Sequence, residues 1–79
     1  MGKDLEREPG AVNLSDLIIY NPEVHDFAGL LRVVATAADD GARFLVYDVK
    51  PDYTDTPRSW QTDIERVFSL GRRYLGGRP

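Results

Sequence analysis

The stretch Val24–Gly41, VHDFAGLLRVVATAADDG, decides the fold of this 79-residue chain. Placed on a helical wheel, Val24, Phe27, Ala28, Leu30, Leu31, Val34, Ala35 and Ala38 fall on one broad face, while His25, Arg32, Thr36 and Asp39 gather on the other. Only Val33 is out of phase. Just upstream, Asn21-Pro22-Glu23 is a helix-start signal: Asn is a good N-cap, Pro suits the first helical position, and Glu in the first turn complements the helix dipole. Asp39-Asp40-Gly41 stops the helix, with Gly41 able to take the left-handed conformation, although two aspartates at that end oppose the dipole. The period predicts a helix over residues 24–38. The same letters also support a hairpin in which Leu30 to Ala37 and Ala42 to Val49 are strands turning through Asp39-Asp40-Gly41, with Gly29 opening a strand instead of weakening a helix. The fold is then an all-β, SH3-like small barrel with a C-terminal helix.

Outward from this stretch, Leu17-Ile-Ile-Tyr20 reads as a short buried strand, with Val12 to Leu14 as a separate edge strand or its beginning. Arg43-Phe-Leu-Val-Tyr-Asp-Val49 is strand in both readings, apolar on both faces as a central strand covered on two sides should be. Residues 50 to 58 form a loop. The last segment is amphipathic: Trp60, Ile64, Val67, Phe68, Tyr74 and Leu75 make one stripe, and Gln61, Thr62, Glu65, Ser69, Arg72 and Arg73 take the other side. Its start lies near Pro57 or Arg58, with Thr56 or Ser59 as cap; Gly76-Gly77 ends it, and Gly71 on the apolar side permits close approach of a strand. The expected architecture is a small single α/β or α+β domain over residues 11–77, ordered strand, helix, strand, helix, preceded by a flexible N-terminal tail over residues 1–10. A right-handed crossover makes the two strands parallel. Two strands alone form a poor sheet, so Val12 to Leu14, a second subunit or a partner's strand is expected to complete it.

Composition narrows the chemistry. A chain of this length buries only about 60–65% of the surface its unfolded form exposes, which favours a homodimer or a larger complex. There is no cysteine and a single histidine, His25, which removes disulfides, thiolate nucleophiles and the usual zinc sites. No metal and no cofactor are expected. The apolar runs fall far short of the roughly 20 residues that cross a bilayer, and the N-terminus MGKDLEREPG lacks the apolar core of a signal peptide, so the expectation is a soluble, cytoplasmic protein without a membrane partner. The net charge is −3 but unevenly spread. Residues 1 to 40 hold three basic and eight acidic side chains, and residues 41 to 79 hold seven basic and five acidic. After Glu65 only Arg66, Arg72, Arg73 and Arg78 are charged.

Asp48-Val-Lys-Pro-Asp-Tyr-Thr-Asp-Thr-Pro57 raises the question of an acidic active site against a connector. Locally, Phe44-Leu-Val-Tyr-Asp48-Val-Lys-Pro51-Asp52 resembles the phosphoacceptor strand of response-regulator receiver domains. The resemblance covers about nine residues and implies Asp48 as phosphoacceptor, with Mg²⁺ held by further carboxylates. That family places an acidic pair after its first strand, where this chain has Asn21-Pro22-Glu23, and its Thr/Ser and Lys come from later strands. A strand end rich in turn-forming Asp and Pro accounts for the same residues. Asp48, Asp52 and Asp55 lack the Gly and terminal Glu of an EF-hand. His25 beside Asp26 places no nucleophile, and there is no G-x-S-x-G, Walker-type or G-x-G-x-x-G sequence.

These observations lead to the expectation of a non-enzymatic protein–protein interaction module: a regulator, accessory subunit or inhibitor that binds a larger protein. The expected partner-binding residues are Arg66, Arg72, Arg73 and Arg78, with Asp52, Tyr53 and Asp55 on the connector. The same arginines could face the acidic half of another copy in a homodimer. The alternatives are a nucleic-acid-binding adaptor that uses those arginines on phosphates, against which the acidic balance counts, and a receiver-like phosphoacceptor at Asp48.

Overall fold

Residues 30–37 are helical, which overturns the barrel reading. The computed structural model describes residues 10–76; apart from Gly10, the expected tail lies outside that range, as do Gly77 and Arg78. The elements run β1 (Ala11–Asn13), α1 (Leu14–Ile19), α2 (Phe27–Asp39), β2 (Phe44–Val46), α3 (Trp60–Leu70) and a 3₁₀ helix (Gly71–Arg73). Three α-helices and a two-stranded parallel sheet make a small α+β domain. The helix wins over residues 27–39 because Phe27, Leu30, Val34 and Ala35 lie on one helical face and are all buried, a set that strand alternation would divide between two faces. They join Leu14, Ile64 and Val67 in one core cluster, between α2 and α3 with α1 closing its side.

The start of α2 lies three residues later than the period predicts. Asp26 is extended at φ −147°, and its carboxylate accepts from the Gly29 amide at 2.8 Å, as an N-cap does. Gly29, which weakens a helix by propensity alone, sits in a tight place here: a Cβ would meet Asp26 Oδ1 at 3.0 Å and Val24 Cγ1 at 3.1 Å, and the capping carboxylate would have to give way by a few tenths of an ångström. Asn21 serves the other side of the turn, its side-chain amide donating to the Leu17 carbonyl at 2.7 Å and closing α1. Gly41, at φ +111°, follows α2 as expected.

The expected strand over residues 17–20 is instead the end of α1. Leu14, Leu17 and Ile18 recur at helical spacing and face the core, and Ile19 and Tyr20 are exposed, so the β-branched pair is overridden by which side chains the core takes. The first strand is β1, which overlaps at Val12 and Asn13 the segment expected as a separate edge strand or as the beginning of the strand over 17–20, while Leu14 opens α1. β1 pairs in parallel with β2, Ala11 opposite Phe44, Val12 opposite Leu45 and Asn13 opposite Val46. β2 is shorter than the expected strand over residues 43–49 and is not covered on both faces: Phe44 is 52% and Val46 42% exposed.

The final helix also departs from its expected span. α3 ends at Leu70 because Gly71, at φ +52° and ψ −121°, leaves helical space. Gly71 is buried against α2, its would-be Cβ direction 3.5 Å from Ala38 Cβ, so the close approach is to a helix, not to a strand. After the 3₁₀ helix the chain turns at Gly76, φ +85°; Leu75 is half-buried and Tyr74 lies at the surface.

Candidate functional site

The acidic connector resolves into helix caps. Asp48 receives the Ser15 amide at 3.0 Å and the Ser15 hydroxyl at 2.6 Å, one on each carboxylate oxygen, so it holds the first turn of α1 from thirty-three positions away. Asp55 accepts from the Phe27 amide at 2.8 Å and holds the first turn of α2. Thr56 ties the loop between them: its hydroxyl receives the Tyr53 amide at 3.1 Å, and its amide donates to the Tyr53 carbonyl, also at 3.1 Å. Pro51 is fully buried, and Tyr53 packs half-buried on the core. Burial, with the nearby Asp26 charge adding to it, holds the Tyr53 phenol above its ordinary pKa. Asp52 is exposed.

The hydrogen bond from the Ser15 hydroxyl pulls the Asp48 pKa below the usual carboxylate value against a smaller opposing effect of burial. A depressed folded-state pKa stabilises the fold above the unfolded value, and that contribution is lost as pH falls through the folded one. Asp48→Asn is therefore expected to lower stability at neutral pH by about 0.5–1 kcal/mol, as loss of an exposed cap does. The gap between variant and parent should narrow in urea titrations carried below the ordinary carboxylate range; a gap independent of pH would show that the carboxylate charge contributes nothing.

Of the four C-terminal arginines, Arg66 lies exposed on α3, Arg72 and Arg73 lie exposed on the 3₁₀ helix, and Arg78 falls outside the described residues. The 3₁₀ helix packs against α2, with Gly71 beside Ala38 and Asp39, so Arg72 and Arg73 sit near the acidic C-terminal end of α2. Asp55 and Tyr53 sit at its N-terminal end. Thirteen helical residues, about 20 Å, separate the two, so the structure does not bring the connector and these arginines together. His25 is exposed ahead of α2 and lies on no helical face.

Two surfaces escaped the sequence reading. The first is an open groove of about 320 Å³ between α1, α2 and the C-terminal segment, walled by Leu17, Val33, Ala37 and Leu75 and edged by Arg32 and Asp40. The out-of-phase Val33 is its signal: an apolar side chain turned off the core face needs another surface. Ile19 and Tyr20, 66% and 77% exposed, end α1 between the groove residues Leu17 and Asn21 in the chain, and neither lines the groove itself. The second surface is the outer face of β2, where Phe44 and Val46 are exposed and Arg43, Leu45, Tyr47, Glu65 and Phe68 line a groove towards α3.

Comparison with protein-family models, with curated proteins and with solved structures returned no match. Among the described residues no group of three or more His, Asp or Glu side chains is placed to hold a metal ion, and no helix is long and apolar enough to cross a membrane.

Proposed function

We propose that this protein is a small non-enzymatic interaction module, a regulator or accessory subunit that binds a larger protein through the groove between α1, α2 and Leu75. The observation that supports the reading is the pair Ile19 and Tyr20, two large side chains standing in solvent at the end of α1, the helix whose Leu17 walls an apolar groove with charged edges. An exposed aromatic next to a concavity is the usual anchor of a protein interface, ringed by polar groups that exclude water. Leu75 brings the C-terminal segment to the same groove two residues after Arg73, so the partner surface that fits is apolar at its centre and acidic where it meets Arg72 and Arg73. The connector carboxylates Asp48 and Asp55 take a supporting part in this reading, since they hold the first turns of the helices that wall the groove.

The test compares proteins captured from host lysate, with and without nuclease, by the wild type, by Ile19→Ser/Tyr20→Ser and by Arg72→Glu/Arg73→Glu. All the replaced side chains are exposed, so circular dichroism should be unchanged. A partner held by the wild type should be lost by the first variant, with affinity down roughly thirtyfold or more for removal of an aromatic anchor. The second variant should bind the same partner more slowly, most clearly at low salt. Identical recovery by all three proteins removes the groove from the function, and capture that disappears with nuclease turns the arginines towards nucleic acid.

A further inference from the structure

We propose that β2 is a homodimerisation strand: it pairs antiparallel with β2 of a second copy about a twofold axis at Leu45, making a four-stranded sheet ordered β1-β2-β2-β1. This goes beyond the function proposed above and uses a different face; the groove behind β2 shares no residue with the groove walled by Leu17.

The sheet has two strands of three residues each, below the size that is comfortable alone, and each strand is paired on one side only. Apart from its shortness, β2 lacks the devices that protect an edge. It carries no charge and no proline between Phe44 and Val46, and it turns Phe44 and Val46 outward. Its backbone phase suits addition of a strand. The Phe44 amide donates to the Gly10 carbonyl at 3.3 Å, towards β1, so the alternation of an extended chain leaves the N–H and C=O of Leu45 on the open edge. Two copies can therefore exchange both bonds at Leu45.

The sequence is self-complementary in that register. A twofold axis normal to the sheet requires each residue and its opposite number to lie on the same face, so one residue must face its own counterpart, with the axis midway between the two. At Leu45 it sets Phe44 opposite the second copy's Val46, and Val46 opposite the second copy's Phe44, joining the four exposed apolar side chains in two aromatic–β-branched pairs. It also sets Arg43 opposite the second copy's Tyr47. Tyr47 lies beside Glu65, whose charge, added to burial, raises its phenol pKa. Each Arg43 thus approaches the other copy's Glu65, and both of these residues line the groove behind the strand. An axis at Val46 would instead set Phe44 opposite Asp48, whose carboxylate is held by Ser15. The apolar and the charged pairings agree on Leu45.

The decisive experiment is sedimentation of the wild type across a dilution series beside Phe44→Lys/Val46→Lys. The wild type should run as a dimer that dissociates on dilution, with a melting temperature that rises with concentration; the variant should stay monomeric with the same helical signal. Should the double lysine variant fail to fold, Arg43→Glu, at an exposed position, is expected to lose the dimer and Arg43→Glu/Glu65→Arg to regain it. Register is read by cross-linking, since the chain has no native cysteine. An oxidised mixture of Phe44→Cys and Val46→Cys proteins should form a disulfide between unlike chains, because the directly opposed Cα atoms of such a pair lie about 4.5 Å apart, whereas either protein alone should not. A wild type that is monomeric at every concentration overturns the proposal, as does a dimer untouched by the lysines or cross-linking equally well between like chains.

Discussion

Ile64→Ala is expected to cost about 2–5 kcal/mol, the penalty for removing three buried carbons and leaving a cavity. Ile64 has no exposed surface and stands on α3 in contact with the cluster that contains Leu14, Leu30 and Val34. A chain of 79 residues carries a total stability of roughly 4–12 kcal/mol, so the substitution removes a large share of it. Urea unfolding followed by helical circular dichroism should show a much lower midpoint with an unchanged slope. Ile64→Val, which keeps most of the volume, should cost about 0.5–1.5 kcal/mol, and Ile19→Ala, at an exposed position, no more than about 0.5 kcal/mol. Equal midpoints for the two alanine variants would mean that α3 does not pack on α2 as described. The cost is large because the core is small: among the described residues seven apolar side chains form its buried centre, in the one cluster between α2 and α3.

That core was legible in the sequence to the extent that it is periodic. Phe27, Leu30, Val34 and Ala35 repeat over two turns, as do Trp60, Ile64 and Val67, and both helices follow from this spacing. The parallel pairing of two strands follows from the element order. What could not be read depends on partners distant in the chain. Residues 17–20 look like a strand because Ile18 and Ile19 are β-branched, but the helix they finish is held by an aspartate thirty-three positions beyond its second residue, and no local rule connects the two. The β2 segment is apolar on both faces, which reads as a central strand; in the structure one of those faces is open. Pattern fixes which side chains avoid water, and the second copy proposed above would supply the cover that one chain does not. The placement of the expected partner-binding residues was not legible for a similar reason: charge segregation along the chain says nothing of where each part lands, and here Tyr53 and Asp55 lie by the N-terminal end of α2 and Arg72 and Arg73 by its C-terminal end.

The other large effect is expected from the connector. Asp26→Ala and Asp55→Ala should each cost about 1 kcal/mol, since each removes the acceptor from one amide in the first turn of α2: Gly29 for the first, Phe27 for the second. Together they leave both amides without a protein partner and remove two negative charges from the positive end of the helix dipole, so the double variant should lose about 2–3 kcal/mol. The two sites share one helical turn, so strict additivity is not expected: if the turn frays when the first cap is lost, the second loss costs less, and the shortfall measures how far the caps act as a unit. Asp52→Ala is the control, an exposed aspartate of the same loop expected to change stability by less than about 0.5 kcal/mol. Amide hydrogen exchange gives the local readout, with Phe27 and Gly29 exchanging faster in the double variant while amides near Val34 keep their protection. A double variant as stable as the parent would return the connector to the surface-contact role that its sequence suggests. If it is destabilised, binding at the groove should weaken as well, although neither aspartate lines it, because α2 carries the Arg32, Val33 and Ala37 wall and its first turn fixes where that wall begins. The acidic loop then affects recognition through the helix it anchors, without touching the partner.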